Sequence, residues 1–176
     1  SHVLPLWLAD MDFRSAQPVI DALHRRVEQG VFGYAADSDA AAEAVIEWLR
    51  ARHGVQIDPD WLVWMPGVVP AIHVACRAFA APQEGVFTFT PVYPPFLWSP
   101  EASGRRTVTA PLKFASTHYE IDFDAFKAAL SDDTRVVLLC SPHNPVGRVW
   151  TRNDLLQIAQ ICLERKIVLC SDEIHC

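Results

Sequence analysis

The chain reads as an α/β fold: a mostly parallel sheet flanked by helices in three layers, preceded by an extended N-terminal arm and helix. Three observations predict it. From residue 61 onward, short strand-like runs alternate with helix-like segments. Two of those runs, Val136-Val137-Leu138-Leu139-Cys140 and Ile167-Val168-Leu169-Cys170, are apolar throughout, as strands buried on both faces are. Turn-forming residues follow the strand-like runs at one consistent end, as in Pro66-Gly67 and Thr90-Pro91.

The elements follow in order. Residues 4–13 form an extended apolar arm closed by Asp10-Met11-Asp12. Residues 18–28 read as a helix with Val19, Ile20, Leu23 and Val27 on one face and Gly30 as its stop. Gly30-Val31-Phe32-Gly33-Tyr34 is a glycine-punctuated loop. Asp37 or Ser38 then caps a second helix running through Val45, Ile46, Trp48 and Leu49 to Gly54. Strands are predicted over residues 61–65, 86–90, 107–110, 136–140 and 167–170, and helices over 69–80, 94–102, 123–130 and 153–166. This divides the chain into an arm-and-helix segment, residues 1–36, and a larger domain, residues 37–176, with no repeat or linker.

Composition narrows the function classes. A chain of 176 residues supports one good core. No apolar run approaches the roughly 20 residues of a membrane span, and no secretory leader pattern stands at the start. The net charge is −6 and the basic residues are scattered, which argues against a nucleic-acid surface. Five cysteines, odd in number and without a CxxC pair, suit a reduced compartment, with Cys140 and Cys170 packing as small hydrophobes. A cytoplasmic protein without membrane or nucleic-acid partners is expected.

Ligands in such sheets bind beyond the carboxyl ends of the strands, and four turns fall there. In Met65-Pro66-Gly67-Val68-Val69-Pro70, the backbone N–H groups of Val68 and Val69 open a helix and suit a phosphate; the alternative is an ordinary βα turn. Tyr93, held among prolines in Thr90-Pro91-Val92-Tyr93-Pro94-Pro95-Phe96, offers a flat face to an aromatic ring, or is a core tyrosine in a rigid turn. Asn144, in Ser141-Pro142-His143-Asn144-Pro145-Val146-Gly147, can donate its amide to an anionic oxygen, or form a plain Asx turn. Asp172 follows a buried strand, where a carboxylate is costly unless it meets a cation. A protonated pyridine nitrogen is such a cation, with His175 in reach of the ring's phenolic oxygen; helix capping and a surface histidine are the alternatives. Taken jointly, a phosphate cradle, a ring cover, an oxygen partner and a nitrogen partner point to pyridoxal 5'-phosphate (PLP). No metal site is indicated.

The chain resembles the fold-type I, class I/II aminotransferase superfamily, and within it most resembles the MalY/PatB-type cystathionine β-lyases. The residues that carry this are Pro5-Leu6-Trp7-Leu8-Ala9-Asp10-Met11-Asp12-Phe13, Gly30-Val31-Phe32-Gly33-Tyr34, the four turns above, Arg148-Val149-Trp150 and Ser171-Asp172-Glu173-Ile174-His175. The resemblance implies that Asp172 pairs the pyridinium, Asn144 and His175 lie near the phenolic oxygen, Tyr93 stacks on the ring, and the Val68 and Val69 amides hold the phosphate. It implies that Tyr34 reaches the phosphate of a neighbouring subunit, so a homodimer is expected. Ala9, Asp10 and Asn144 would face the amino-acid substrate, and Thr90-Pro91 and Asn144-Pro145 would be cis. Some members carry a second tyrosine directly after the stacking one; Pro94 stands there in this chain.

The resemblance also implies that the Schiff-base lysine and the substrate-carboxylate arginine come later than residue 176. Lys113, Lys127 and Lys166 are read as solvated, in a loop, on a helix face and at the start of a strand. The chain is therefore expected to be the N-terminal part of a PLP enzyme, inactive alone. The complete protein would perform carbon–sulfur β-elimination, giving thiol, pyruvate and ammonia. An aminotransferase is the alternative, and a non-catalytic regulatory protein of the same fold a further one.

Overall fold

A computed structural model describes residues 2–3, 11–34 and 38–176. Two compact units divide the chain, Ser1–Leu62 and Val63–Cys176. The second helix lies in the first of these, where it contacts the 3-10 turn that follows it.

In the first unit, α1 (Gln17–Gln29) carries a proline in its first turn and ends on Gly30 in the left-handed region, φ 70°. Its apolar stripe, Val19, Leu23 and Val27, is exposed. Helix α2 (Asp39–His53) starts at Ser38, whose Oγ accepts from the Ala41 N–H, and stops at left-handed Gly54. Ser38 is thus the cap; Asp37 lies outside the described residues, as do Ala9 and Asp10. The run 61–65 is not a strand. A single 3-10 turn, Pro59–Trp61, occupies its start, and no described residue pairs with the remainder, so alternation alone supplied no ladder partner.

The second unit carries α3 (Val68–Phe79), β1 (Gly85–Thr90), α4 (Pro95–Ala102), β2 (Arg106–Pro111), β3 (Lys113–Ala115), β4 (His118–Glu120), α5 (Phe123–Ala129), β5 (Thr134–Cys140), α6 (Arg152–Glu164) and β6 (Val168–Asp172). Strands β2-β1-β5-β6 form one parallel four-stranded sheet; β3 and β4 make a separate antiparallel hairpin that periodicity did not reveal. Alternate residues of β1 and β5 face opposite layers. Val86, Val136, Leu138 and Cys140 pack with Ile72 and Cys76 of α3 and Phe96 of α4. Phe87, Phe89, Val137 and Leu139 pack with Phe126 of α5 and Ile158 and Ile161 of α6. The ring centroids of Phe87, Phe89 and Phe126 lie 4.7–5.0 Å apart. Both faces of the sheet are covered, which is why its central strands read as continuous apolar runs.

The strand order locates the crevice. From β1 the chain moves outward to β2, then returns past β1 to place β5 on its other side. Connections therefore diverge between β1 and β5, and their carboxyl ends frame the gap where ligands of open α/β sheets bind.

Candidate active site

The loops leaving β1 and β5 are joined to each other across that gap. The Tyr93 N–H donates to the Asn144 carbonyl at 3.0 Å. His143, buried at 1 % exposure, donates from Nε2 to the Pro91 carbonyl at 2.8 Å. The β5 loop is joined in turn to β6, where the Ser141 N–H donates to the Asp172 carbonyl at 3.0 Å. Three of the four turns singled out in the sequence are thus joined by hydrogen bonds.

Within the β5 loop, the Asn144 N–H donates to Cys140 Sγ at 3.4 Å, and the Sγ–H donates to the Pro142 carbonyl at 3.4 Å. The His143 N–H and the Arg148 carbonyl pair at 2.8 Å, and Gly147 turns the chain at φ 66°. Arg148 Nε reaches the Tyr119 carbonyl, fixing the loop to the β3–β4 hairpin at 2.9 Å. Beneath it, Trp150 Nε1 donates to the Cys140 carbonyl at 3.0 Å while its ring meets His143 edge-on at 5.4 Å. Thr90-Pro91 and Asn144-Pro145 are cis, as expected, and Ser141-Pro142 is a third cis bond.

This framework borders an open pocket of about 260 Å³ lined by Pro142, His143, Asn144, Pro145, Gly147 and His175. Asn144 and His175 share one lining. Tyr93 stands beside it, 42 % exposed, its ring meeting no other aromatic ring among the described residues. Asp172 is half-buried at the end of β6; its Oδ1 accepts from the Ile174 N–H at 3.0 Å. That bond is a local Asx turn, and it leaves most of the carboxylate's acceptor capacity unused.

Helix α3 packs against β5 and β6, with Val68 touching the cluster that holds Cys140 and Cys170. Gly67, at φ 135°, is its N-cap and offers no side chain to the first turn. Pro70 has no N–H, so the amides that open this helix without an intrahelical partner are those of Val68 and Val69. Tyr34 belongs to the first unit and is fully exposed.

Burial sets the charge states. The thiols of Cys140 and Cys170 are pushed up from their ordinary range, by desolvation first and then by the Asp172 carboxylate, which places that charge close to both. Burial raises Cys76 and Cys162 to about 11, so neither is a nucleophile. Burial lowers the His143 imidazole, against the Pro91 and Cys140 carbonyls, and keeps it neutral. Lys113 is not a free loop lysine: it opens β3, just past the carboxyl end of β2, and its Nζ pairs with Asp122 at 2.8 Å. Lys127 is exposed on α5, and Lys166 precedes β6 at the opposite end of the sheet. Among the described residues no cluster of His, Cys, Asp or Glu suits a metal ion, and no helix is long and apolar enough to cross a membrane.

The family model for aminotransferase class I and II matches residues 3–176. The chain belongs to that family. It is 41% identical over 176 residues to cystathionine beta-lyase PatB of Bacillus subtilis, covering 99% of this chain and 46% of that protein. Among solved structures, OvoB superposes with a TM-score of 0.93 at 44% identity, covering 99% of this chain and 46% of that one. The PLP-bound C-S lyase from Staphylococcus hominis superposes at 0.91 with 31% identity, covering 97% and 44%. The chain spans under half the length of these relatives.

Reasoning from the sequence missed His143, Trp150, Arg148 and Cys140 as supports of the site. The signal available was a histidine and an asparagine enclosed by two prolines in a turn, followed shortly by a tryptophan.

Proposed function

We propose that the full-length protein is a PLP-dependent carbon–sulfur lyase. It would eliminate a thiol from the β-carbon of an amino acid such as cystathionine, leaving pyruvate and ammonia. Residues 37–176 supply the first part of its cofactor-binding domain, residues 1–36 its arm and helix. The observation that carries this reading is the hydrogen-bonded convergence of the Tyr93, Asn144 and Asp172 turns at the β1–β5 divergence.

The residues present fit the cofactor: two unpartnered helix amides, a half-buried carboxylate with spare acceptor capacity, an unstacked tyrosine and an open pocket bearing an amide and an imidazole. PLP supplies an electron sink that stabilises negative charge at the substrate's α-carbon. The Val68 and Val69 N–H groups hold its phosphate at the positive end of α3. Asp172 keeps the ring nitrogen protonated, and Asn144 and His175 orient the ring by its phenolic oxygen. Tyr93 covers one ring face and excludes water there. Contact with the substrate is assigned to Asn144 and, on the resemblance alone, to Ala9 and Asp10. Tyr34 serves the phosphate of a second copy in a homodimer. The lysine that bonds the aldehyde is assigned to the protein outside these 176 residues, since Lys113 is engaged by Asp122. We place the protein in the cytoplasm, with amino acids rather than nucleic acids or membranes as partners.

The test is pyruvate release from cystathionine by the full-length protein loaded with PLP, with no keto-acid acceptor added. Asp172→Asn removes a charge-assisted bond and is expected to lower the rate at least about 100-fold. Aminotransferase activity is the second reading, favoured by the family match. Under it, turnover would require a keto-acid acceptor and release no thiol.

A further inference from the structure

We propose that His143 is a positioning residue: its imidazole clamps the Pro91 carbonyl from within the 141–147 turn and thereby sets the spacing between Asn144 and Tyr93. The role in orienting a cofactor rests on the proposed function above; the clamp itself rests on geometry.

His143 stands one residue before Asn144, and its acceptor Pro91 stands two before Tyr93. The bond joins residues 52 apart in sequence at 2.8 Å. A carbonyl can only accept, so the imidazole proton is on Nε2. The backbone of His143 is held as firmly. Its N–H donates to the Arg148 carbonyl and its carbonyl accepts from the Gly147 N–H, both at 2.8 Å. The ring stands edge-on to Trp150, which is itself bonded to the Cys140 carbonyl. Among the described residues this is the one side-chain hydrogen bond between the β1 and β5 loops; the other tie is the main-chain bond from Tyr93 to Asn144.

The remaining nitrogen argues against mere filling. His143 Nδ1 is buried beside the Cys140 carbonyl, itself an acceptor, and makes no hydrogen bond there. An apolar ring would occupy the same space without burying that unsatisfied acceptor, which is unfavourable. What an apolar ring would lack is the bond to Pro91. Nε2 carries a proton in this tautomer and in the protonated ring alike, so the bond to Pro91 does not depend on the charge of the imidazole.

The experiment compares His143→Phe, His143→Asn and His143→Gln in the full-length protein. Gln places an amide N–H near the position of Nε2; Asn folds in the same polar space but stops short of Pro91. The first readout needs no cofactor: hydrogen exchange at the Tyr93 amide. Phe and Asn are each expected to cut its protection about ten-fold relative to Val137 in the core, while Gln retains it. The second is the pH midpoint of the visible absorbance of the PLP-loaded protein. Phe and Asn should move it in the same direction as Asn144→Ala, and Gln should leave it in place. Loss of protection spread equally over Tyr93 and β5, or a Gln variant indistinguishable from Phe and Asn, would overturn the clamp. Tyr93 protection behaving as expected in a protein that gives no visible band with PLP would sustain the clamp and overturn the cofactor reading instead.

Discussion

Trp150→Phe tests whether the floor of the Asn144 turn is held as the structure indicates. Trp150 is 3 % exposed, donates from Nε1 to the Cys140 carbonyl at 3.0 Å and packs among Phe87, Leu139 and Ile158. Removing the donor from a buried carbonyl costs about 1–2 kcal/mol. Shrinking indole to phenyl leaves a void of roughly 30–40 Å³, worth about 1 kcal/mol where the surroundings do not collapse. The expected loss is about 2–3 kcal/mol, far above that of an exposed site. Trp98→Phe supplies the comparison. Trp98 is 46 % exposed, tilts against His73 at 5.6 Å and makes no side-chain hydrogen bond, so its loss should stay below about 1 kcal/mol. Urea unfolding of the full-length protein followed by far-ultraviolet circular dichroism gives both values. If the two variants fall within about 0.5 kcal/mol of each other, Trp150 is not supporting the turn through that bond, and the reasoning fails.

Three further outcomes are expected. Gly85→Ala places a Cβ 3.1 Å from Val108 Cγ2 and 3.2 Å from Thr134 Oγ1, between β2 and β5, and should destabilise by about 1–3 kcal/mol in thermal unfolding; an unchanged transition would contradict the packing. His143 has a folded-state pKa below its ordinary 6.5, so as pH falls through that value the unfolded chain takes up the proton first and stability declines. That component has a slope of up to about 1.4 kcal/mol per pH unit and should vanish in His143→Gln, as comparison of urea midpoints at pH 5 and 7 would reveal. Cys76 and Cys162, raised to about 11, should resist iodoacetamide at pH 8 in the native protein and react after denaturation, read by peptide mass spectrometry; native labelling of either would refute their burial.

The parts of the fold legible in the sequence are those where burial on both faces leaves a continuous apolar run. Strand β5 announced itself in this way; β6 has the same apolar composition but lies at the edge of the sheet, where it is half-buried to exposed, so its run overstated its burial. Residues 61–65 misled because Trp61-Leu62-Val63-Trp64-Met65 has the composition of a strand, while strand identity depends on a partner that composition does not contain. Trp61 and Val63 are exposed accordingly. The β3–β4 hairpin escaped for the converse reason: three residues a side are too few for any period to register.

The site divides along the same line. Asp172, Asn144, Tyr93 and the Val68-Val69 amides stand out in the sequence as candidates because each is a chemically distinctive group at a strand end or helix start. What joins them does not. Tyr93 meets Asn144 through main-chain atoms, and His143 meets the carbonyl of Pro91; neither acceptor has a side-chain signature. Only the order β2-β1-β5-β6 makes the Tyr93 and Asn144 loops neighbours, although α4, β2, two hairpin strands, α5 and β5 separate them in sequence. A parallel sheet brings distant turns to one edge, and at its divergence point two of them have no strand between them. Main-chain hydrogen bonding joins three of the four turns into one constellation. His143 therefore reads from sequence as part of a turn, and in the structure as the side chain that bonds one of these loops to the other.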